Sequence, residues 1–425
     1  MEYLPRTVEV ELDELMSGLG AVSLDGAKGV GKTETATRRA TTLFALDDPD
    51  ERSLLLANPT RLERAPAPVV VDEWQRLPEV WDRVRRSVDR EQIPGRFLLT
   101  GSASPSPQVK IHSGAGRIVM LRMRPMILPE RGVTSATVSL ADLLTGDRPT
   151  IDGDTAITLS DYAEQIVASG FPGIRALPAR LRQAQLEGYL ERIVQRDFPE
   201  QGHLVRRPTA LRDWLRAYAA ATSTTASYTT ILDAATAGAG DKPAKSTVLA
   251  YRDVLTQLWL LDPVPGWAPS RSPFAVLQRA PKHHLVDPAL AARLLRATTE
   301  SLLRASPTKP ALPREGTLLG ALFESLTALT LRVTAQAAGA TVSHLRTDKG
   351  THEVDFIVER DDRRVVAVEV KLTVAPDDDD VKHLRWLKTR LGDDLLDAVV
   401  VTTGKYAYRR QQDGIAVVPL ALLGP

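Results

Sequence analysis

A multidomain α/β protein is predicted, on three observations. A short apolar run, Ala21-Val-Ser-Leu24, leads directly into Gly26-Ala-Lys-Gly-Val-Gly-Lys-Thr33. Two further runs, Pro68-Val-Val-Val71 and Phe97-Leu-Leu-Thr100, have the length and composition of buried parallel strands. Far downstream, Val365-Val-Ala-Val-Glu369-Val-Lys371 is another strand, with side chains alternating toward its end. At 425 residues the chain is also too long for one core, since domains run to ~100–200 residues.

The first run and the segment after it make a phosphate site. Gly26 to Thr33 is the full G-x-x-x-x-G-K-[ST] pattern, and Glu34 to Ala45 lacks Gly and Pro and is compatible with a helix. In a strand–loop–helix context, backbone N–H groups curl around a polyphosphate, and glycine alone permits both the dihedrals and the close approach. Gly26, Ala27, Lys28, Gly29, Val30 and Gly31 form the expected loop, Lys32 reaches the β- and γ-phosphates, and Thr33 offers its hydroxyl to magnesium. ATP and Mg2+ are the predicted cofactors.

The second run ends in Asp72-Glu73, at the strand edge where open α/β sheets bind ligands. Asp72 is the expected second magnesium ligand, and Glu73 the group that polarises the attacking water. The third run closes with Gly101-Ser102, so Ser102, and Thr100 after it, are candidates to sense the γ-phosphate. Gly114-Ala-Gly-Arg117 holds an arginine in a loop, and Arg117 could serve the γ-phosphate of its own or a neighbouring subunit.

These stretches together resemble the bacterial and archaeal AAA-type ATPases that pair a P-loop domain with a C-terminal region of unknown function. The resemblance includes Leu46-Asp-Asp-Pro49, Val70-Val-Asp-Glu-Trp-Gln75, LLTGSAS, GAGR and Ser169-Gly-Phe-Pro172. It continues through Tyr189-Leu-Glu-Arg-Ile-Val-Gln-Arg-Asp197, Pro281-Lys-His-His-Leu-Val-Asp287, Glu353-Val-Asp-Phe356 and Glu369-Val-Lys371, and so spans nearly the whole chain. Ala27-Lys28 departs from the proline-arginine pair common in that family, and Trp74 from its aliphatic residue. The resemblance implies a fold and ATP binding more firmly than a biological role.

From Arg124 to about Leu159 the composition shifts to Pro, Gly, Thr and Asp and reads as a linker. From Ser160 to about Ala297 the pattern is helical. Ser246 to Leu258, followed by Trp259-Leu-Leu-Asp-Pro263, resembles the helix and wing of a winged helix-turn-helix, with Lys242, Lys245 and Arg252 as candidate phosphate contacts.

The C-terminal part places Glu324 in a predicted helix, then Asp355, then Glu369 and Lys371 on one face of a strand. That order matches the PD-(D/E)XK nuclease fold, in which carboxylates at strand ends hold a hard divalent cation. Asp355 and Glu369 are the expected ligands, Lys371 orients water or neutralises developing charge, and Glu324 reaches in from the helix.

Composition narrows the classes. Lys and Arg exceed Asp and Glu by a single residue, so no global field points to nucleic acid or membrane. The absence of cysteine removes disulfides, thiolate zinc sites and a cysteine nucleophile. The N-terminus has no basic-then-apolar leader, and no ~18-residue apolar run stands out, so the expectation is cytoplasmic with no membrane partner.

The expected fold class is therefore α/β: a P-loop AAA-type domain over residues 1–150, an α-rich winged-helix-like domain over 160–300, and an α/β PD-(D/E)XK-like domain over 310–425. Two functions are open at this point. One is a Mg-dependent ATPase coupled to DNA binding or processing. The other is a nucleotide-dependent regulatory or assembly protein whose nuclease-like domain is inactive. ATP is a partner in both, while DNA, a protein partner and a homo-oligomer are open.

Overall fold

The computed structural model describes residues 3–103, 113–202, 207–237, 245–268, 279–304, 318–347 and 350–425. Its first sheet contains β1 (Ala21–Asp25), β2 (Thr42–Ala45), β3 (Val69–Asp72), β4 (Phe97–Gly101) and β5 (Val119–Arg122). The spatial order is β2-β3-β4-β1-β5, and every neighbouring pair is parallel. All residues of β1, β3 and β4 are buried, as helices on both faces of a parallel sheet require. One covering helix, Glu79–Arg90, turns Val80, Trp81, Val84 and Val88 inward at helical spacing. The order sets β4 between β1 and β3, so the loops leaving the ends of β1, β3 and β4 converge on one edge.

The stretch from Arg124 to Leu159, expected as a linker, is instead packed structure. It carries β6 (Val138–Ser139) and the helix Leu140–Thr145, which Ser139 caps through the N–H of Asp142 and which buries Leu140, Leu143 and Leu144. A six-residue helix flanked by turn formers is too short for its periodicity to stand out against the composition.

A helical region follows. Thr158 and Asp161 form a capping box at the start of the helix Leu159–Val167. The helix Ala179–Arg192 runs on into a π-helical turn, Ile193–Asp197. Helices Pro208–Ala220, Tyr228–Ala235 and Lys245–Gln257 come next, and then two antiparallel bridges, Leu261 with Leu285 and Val264 with Lys282.

The second sheet gathers β7 (Gly266–Trp267), β8 (Thr341–Arg346), β9 (Glu353–Glu359), β10 (Val365–Lys371), β11 (Leu395–Thr402), β12 (Tyr408–Arg409) and β13 (Ala416–Pro419). It is mixed, in the order β12-β13-β11-β10-β9-β8-β7, with β9 antiparallel to both neighbours and β10, β11 and β13 parallel. Its edge strand β7 comes from the helical region, and β14 (Leu423–Gly424) returns to pair with β6. Helix Leu318–Ala337 is long and apolar enough to cross a membrane by length and composition, but most of it is buried within the fold. It is apolar on nearly all sides because sheet and helices surround it.

One buried carboxylate joins these parts. Asp262 accepts from Arg122 and Arg124 at 2.9 Å each, and pairs also with Arg332 on the long helix. Gln336 adds to the junction, accepting from Arg124 and donating to the carbonyl of Arg122 and to Glu11. Burial pushes the Arg122 and Arg332 guanidinium groups well below their usual range, so both depend on their anionic partner. Asp262→Ala is expected to cost about 3–5 kcal/mol, because it strands buried cations. The melting temperature should fall by roughly 10 °C in calorimetry. A fall of less than about 2 °C would show that the arginines find other partners.

Candidate functional site

The loop after β1 is shaped by its glycines. A Cβ on Gly26 would lie 2.2 Å from the carbonyl oxygen of Met123, and Gly31 has φ 107°, in the left-handed region that other residues avoid. Lys32, the first residue of helix Lys32–Thr37, is buried, and its ammonium donates to the carbonyls of Gly26 and Ala27 at 2.8 and 3.0 Å. Desolvation lowers its pKa to about 8, against the opposing pull of Glu73, Asp25 and Asp72.

Thr33 donates to Asp72 Oδ1 at 2.8 Å, and the hydroxyl of Thr100 meets the same oxygen. The two expected magnesium ligands, one from the loop and one from the end of β3, thus face each other. Glu73 follows with φ 54° and ψ 43°, a left-handed backbone that glutamate adopts only where its surroundings hold it. Two donors fix its carboxylate: Ser102 Oγ at 2.8 Å and Gln75 Nε2 at 2.6 Å, both to Oε2. Ser102 therefore supports Glu73 in this structure, and Gln75, which sequence reasoning did not single out, acts beside it. Trp74 packs against Trp81, with ring centroids 4.5 Å apart and the rings tilted by 31°, and anchors the turn that carries both.

Arg117 is engaged elsewhere. Its guanidinium pairs with Asp89 on helix Glu79–Arg90 at 2.6 Å, and its side chain is about half exposed.

The helical region reaches back to the loop. Asp197, in the π-helical turn, accepts from the ammonium of Lys28 at 2.5 Å, and the Tyr189 hydroxyl donates to the carbonyl of Lys28 at 3.2 Å. Phe171 lies beside Gly29 and packs against Tyr189. All three residues stand in the stretches Ser169–Pro172 and Tyr189–Asp197, recognisable in sequence although no chemistry could be attached to them. On the other side of the loop a cavity of about 470 Å³ opens against Tyr3, Arg6, Gly31, Thr35 and Pro172. Arg6 shapes its floor, donating to the carbonyls of Val30 and Arg124.

The C-terminal residues expected to act together also come together. Glu324 projects from the helix Leu318–Ala337, Asp355 from β9, and Glu369 and Lys371 from adjacent β10. Asp355 and Glu369 stand beside each other on the paired strands β9 and β10, and Lys371 Nζ lies 3.9 Å from Glu369. Asp355 also accepts from the N–H of Val370 at 3.0 Å. Burial and the neighbouring Asp355 push Glu369 well above the carboxylate range, while burial alone would raise Asp355 but the ammonium of Lys282 leads a set of interactions that bring it to about 2.

Lys282 was legible only as part of a motif. Its ammonium donates to Glu324 Oε1 at 2.8 Å and Asp355 Oδ1 at 3.0 Å and lies 3.5 Å from Glu353, and its side chain is 1% exposed. Among the described residues, no group of three or more His, Cys, Asp or Glu side chains is arranged to hold a metal ion.

On the helix that carries candidate phosphate contacts, Arg252 pairs with Asp253 at 2.8 Å and lies over the Tyr228 ring. Lys242 and the side chain of Lys245 lie outside the described residues.

A parallel sheet carrying this loop, with Asp72-Glu73 at the end of β3 two places away from β1, defines a P-loop ATPase domain of the AAA type, here joined to a helical region and a C-terminal mixed sheet. Residues 20–131 match the model of the AAA domain family, 159–301 a domain of unknown function (DUF8612), and 319–423 another domain of unknown function (DUF4143). The matched regions stand in the order expected from the sequence, an AAA domain followed at the C-terminal end by a domain of unknown function. Uncharacterized proteins Rv2008c of Mycobacterium tuberculosis and Mb2031c of Mycobacterium bovis are each 25% identical over 315 residues, 72% of this chain and 59% of theirs. The chain therefore spans less than two thirds of the length of these relatives. Among solved structures, the Walker-type ATPase paby2304 of Pyrococcus abyssi aligns with 69% of this chain and 96% of its own at 16% identity and a TM-score of 0.41. A Drosophila ORC chain, from a structure bound to DNA, aligns with 65% of this chain and 90% of its own at 13% identity and a TM-score of 0.21.

Proposed function

We propose that this chain hydrolyses ATP with magnesium at the loop Gly26–Thr33. The observation that carries the reading is the facing pair of Thr33 and Asp72, set beside a buried Lys32 whose ammonium rests on two loop carbonyls. When bound, magnesium neutralises charge on the β- and γ-phosphate oxygens. Thr33 and Asp72 would hold it, the hydroxyl and the carboxylate being hard oxygen donors of the kind this ion takes. Lys32 exchanges its carbonyl partners for phosphate oxygens, a charge-assisted pairing stronger than the one it leaves. The cavity against Tyr3, Arg6 and Pro172 receives the base, since it opens at Gly31, where the loop meets its helix. Glu73 accepts a proton of the attacking water, oriented by Ser102 and Gln75. Arg117 lies on a half-exposed surface, and we assign it to the γ-phosphate of a neighbouring copy in a homo-oligomer, released from Asp89 on assembly.

ATP affinity should depend on pH through Lys32. The free site holds this group at about 8, and the phosphates favour its charged form, so binding is full below pH 8. Above that value a proton must be taken up on binding, and affinity should fall by up to about tenfold per pH unit. Calorimetry between pH 6.5 and 9.5 measures this, and an affinity that is flat across that range would show that burial does not lower the Lys32 ammonium in the free site.

Of the two wider readings, a nucleotide-dependent regulatory or assembly protein is favoured over a DNA-cleaving enzyme. The favouring observation is Lys282, whose ammonium stands among the carboxylates that would carry the cutting metal. The helix order before the two bridges supports a winged-helix-like region, which in this reading packs and transmits motion. Incubation of the full chain with plasmid and linear DNA, with Mg2+ or Mn2+ and ATP, tests this choice. Intact DNA is expected, and cleavage lost in Asp355→Ala would reverse it.

A further inference from the structure

The C-terminal sheet presents the side chains that a divalent metal site of the nuclease type uses, yet the group they surround is a lysine. We propose that Lys282 is the resident cation of this cluster, and that its ammonium excludes a divalent ion from the position between Glu324 and Asp355. This deepens the regulatory reading given above and rests on it.

The geometry supports a single cation position. The ammonium contacts Glu324 at 2.8 Å and Asp355 at 3.0 Å, on two elements that approach each other from helix and sheet, and a third carboxylate, Glu353, lies at 3.5 Å. A cation bridging Glu324 and Asp355 would need the same space, and two like charges there would repel at close range. Lys282 is not a surface side chain that has folded inward in passing. Its backbone is bridged to Val264 in both directions, and its side chain is 1% exposed, with the ammonium 5.8 Å from the centre of the Phe356 ring. A buried ammonium is retained only where paired carboxylates offset its lost hydration, which Glu324 and Asp355 do. Asp355 Oδ2 also accepts from the N–H of Val370, and Glu369 stands beside it on β10. The neighbouring His284 is buried and faces Phe356, with neither ring nitrogen hydrogen-bonded. Through Lys282, Glu324 and Asp355 the cluster is an ion-pair network that ties the bridge segment to helix Leu318–Ala337 and to β9.

The test is binding of Mn2+ alone to nucleotide-free full-length protein in an Asp72→Asn background, which removes the carboxylate of the P-loop. Titration followed by the electron paramagnetic signal of free Mn2+ should find no ion whose binding depends on Asp355: the background protein and its Asp355→Asn derivative should titrate alike. Lys282→Met preserves length and apolar volume but removes the charge, and should gain one Mn2+ per chain, lost again on adding Asp355→Asn. In the same variant Mn2+ should raise the melting temperature by roughly 5 °C at a hundredfold excess over Kd, with no shift when Lys282 is present. If Lys282→Met does not fold, the comparison of the background protein with its Asp355→Asn derivative still decides. An Asp355-dependent Mn2+ ion in the presence of Lys282 overturns the proposal, as does a folded Lys282→Met protein that gains none. DNA cleavage is read separately, so loss of the regulatory reading and loss of this one remain distinguishable.

Discussion

Lys32→Ala is expected to weaken ATP binding by roughly two orders of magnitude or more. Hydrogen bonds to charged groups contribute about 1.5–3 kcal/mol each, and the substitution removes two such bonds to phosphate together with the buried positive charge at the head of the helix Lys32–Thr37. The loop itself should survive, because its path is set by Gly26 against Met123 and by the left-handed turn at Gly31, neither of which involves the ammonium. Calorimetric titration with ATP and magnesium reads the loss directly, and circular dichroism with a thermal melt checks that the fold is kept. An unchanged Kd in a folded variant would displace the nucleotide from this loop.

Glu73→Gln is expected to slow hydrolysis by ~10²-fold or more while leaving ATP affinity within about threefold. The amide keeps the size of the side chain and an oxygen that Ser102 and Gln75 can still hold, but it no longer carries the negative charge that draws a proton from water. The left-handed backbone at position 73 is common to both side chains, so the substitution adds no new strain. Single-turnover phosphate release measures the chemical step, and a rate equal to that of the unmodified chain would take Glu73 out of the water-activating role.

The nucleotide site was readable because its parts are contiguous. A phosphate cradle is built from eight neighbouring residues, and their glycines mark the dihedrals that the backbone must adopt. Asp72 and Glu73 were readable for a related reason: a buried strand has one functional end, and theirs closes an all-apolar run. The Glu324, Asp355, Glu369 and Lys371 group was visible through its chain order, which the antiparallel pairing of β9 with β10 turns into proximity. Lys282 could not be placed with them, because nothing local to Pro281-Lys-His-His signals that an isolated bridge will carry it under a helix 42 residues on. Asp262 escaped notice for the same reason, since its three arginines come from β5, its neighbourhood and a distant helix. β7 has two residues and no alternation to detect, so its place at the edge of the second sheet comes from tertiary packing alone. Asp197 and Tyr189 sat inside a recognisable stretch, but a helical residue's partner across the fold is not encoded in its own periodicity.

Phosphate release from ATP by the unmodified full-length chain, measured with magnesium and again with the magnesium chelated, tests the central claim most directly. Turnover with magnesium that disappears on chelation is the expected result, and its loss in Lys32→Ala excludes a contaminating hydrolase. ATP that binds at this loop but is never hydrolysed, or hydrolysis that continues undiminished without magnesium or without Lys32, would contradict the account.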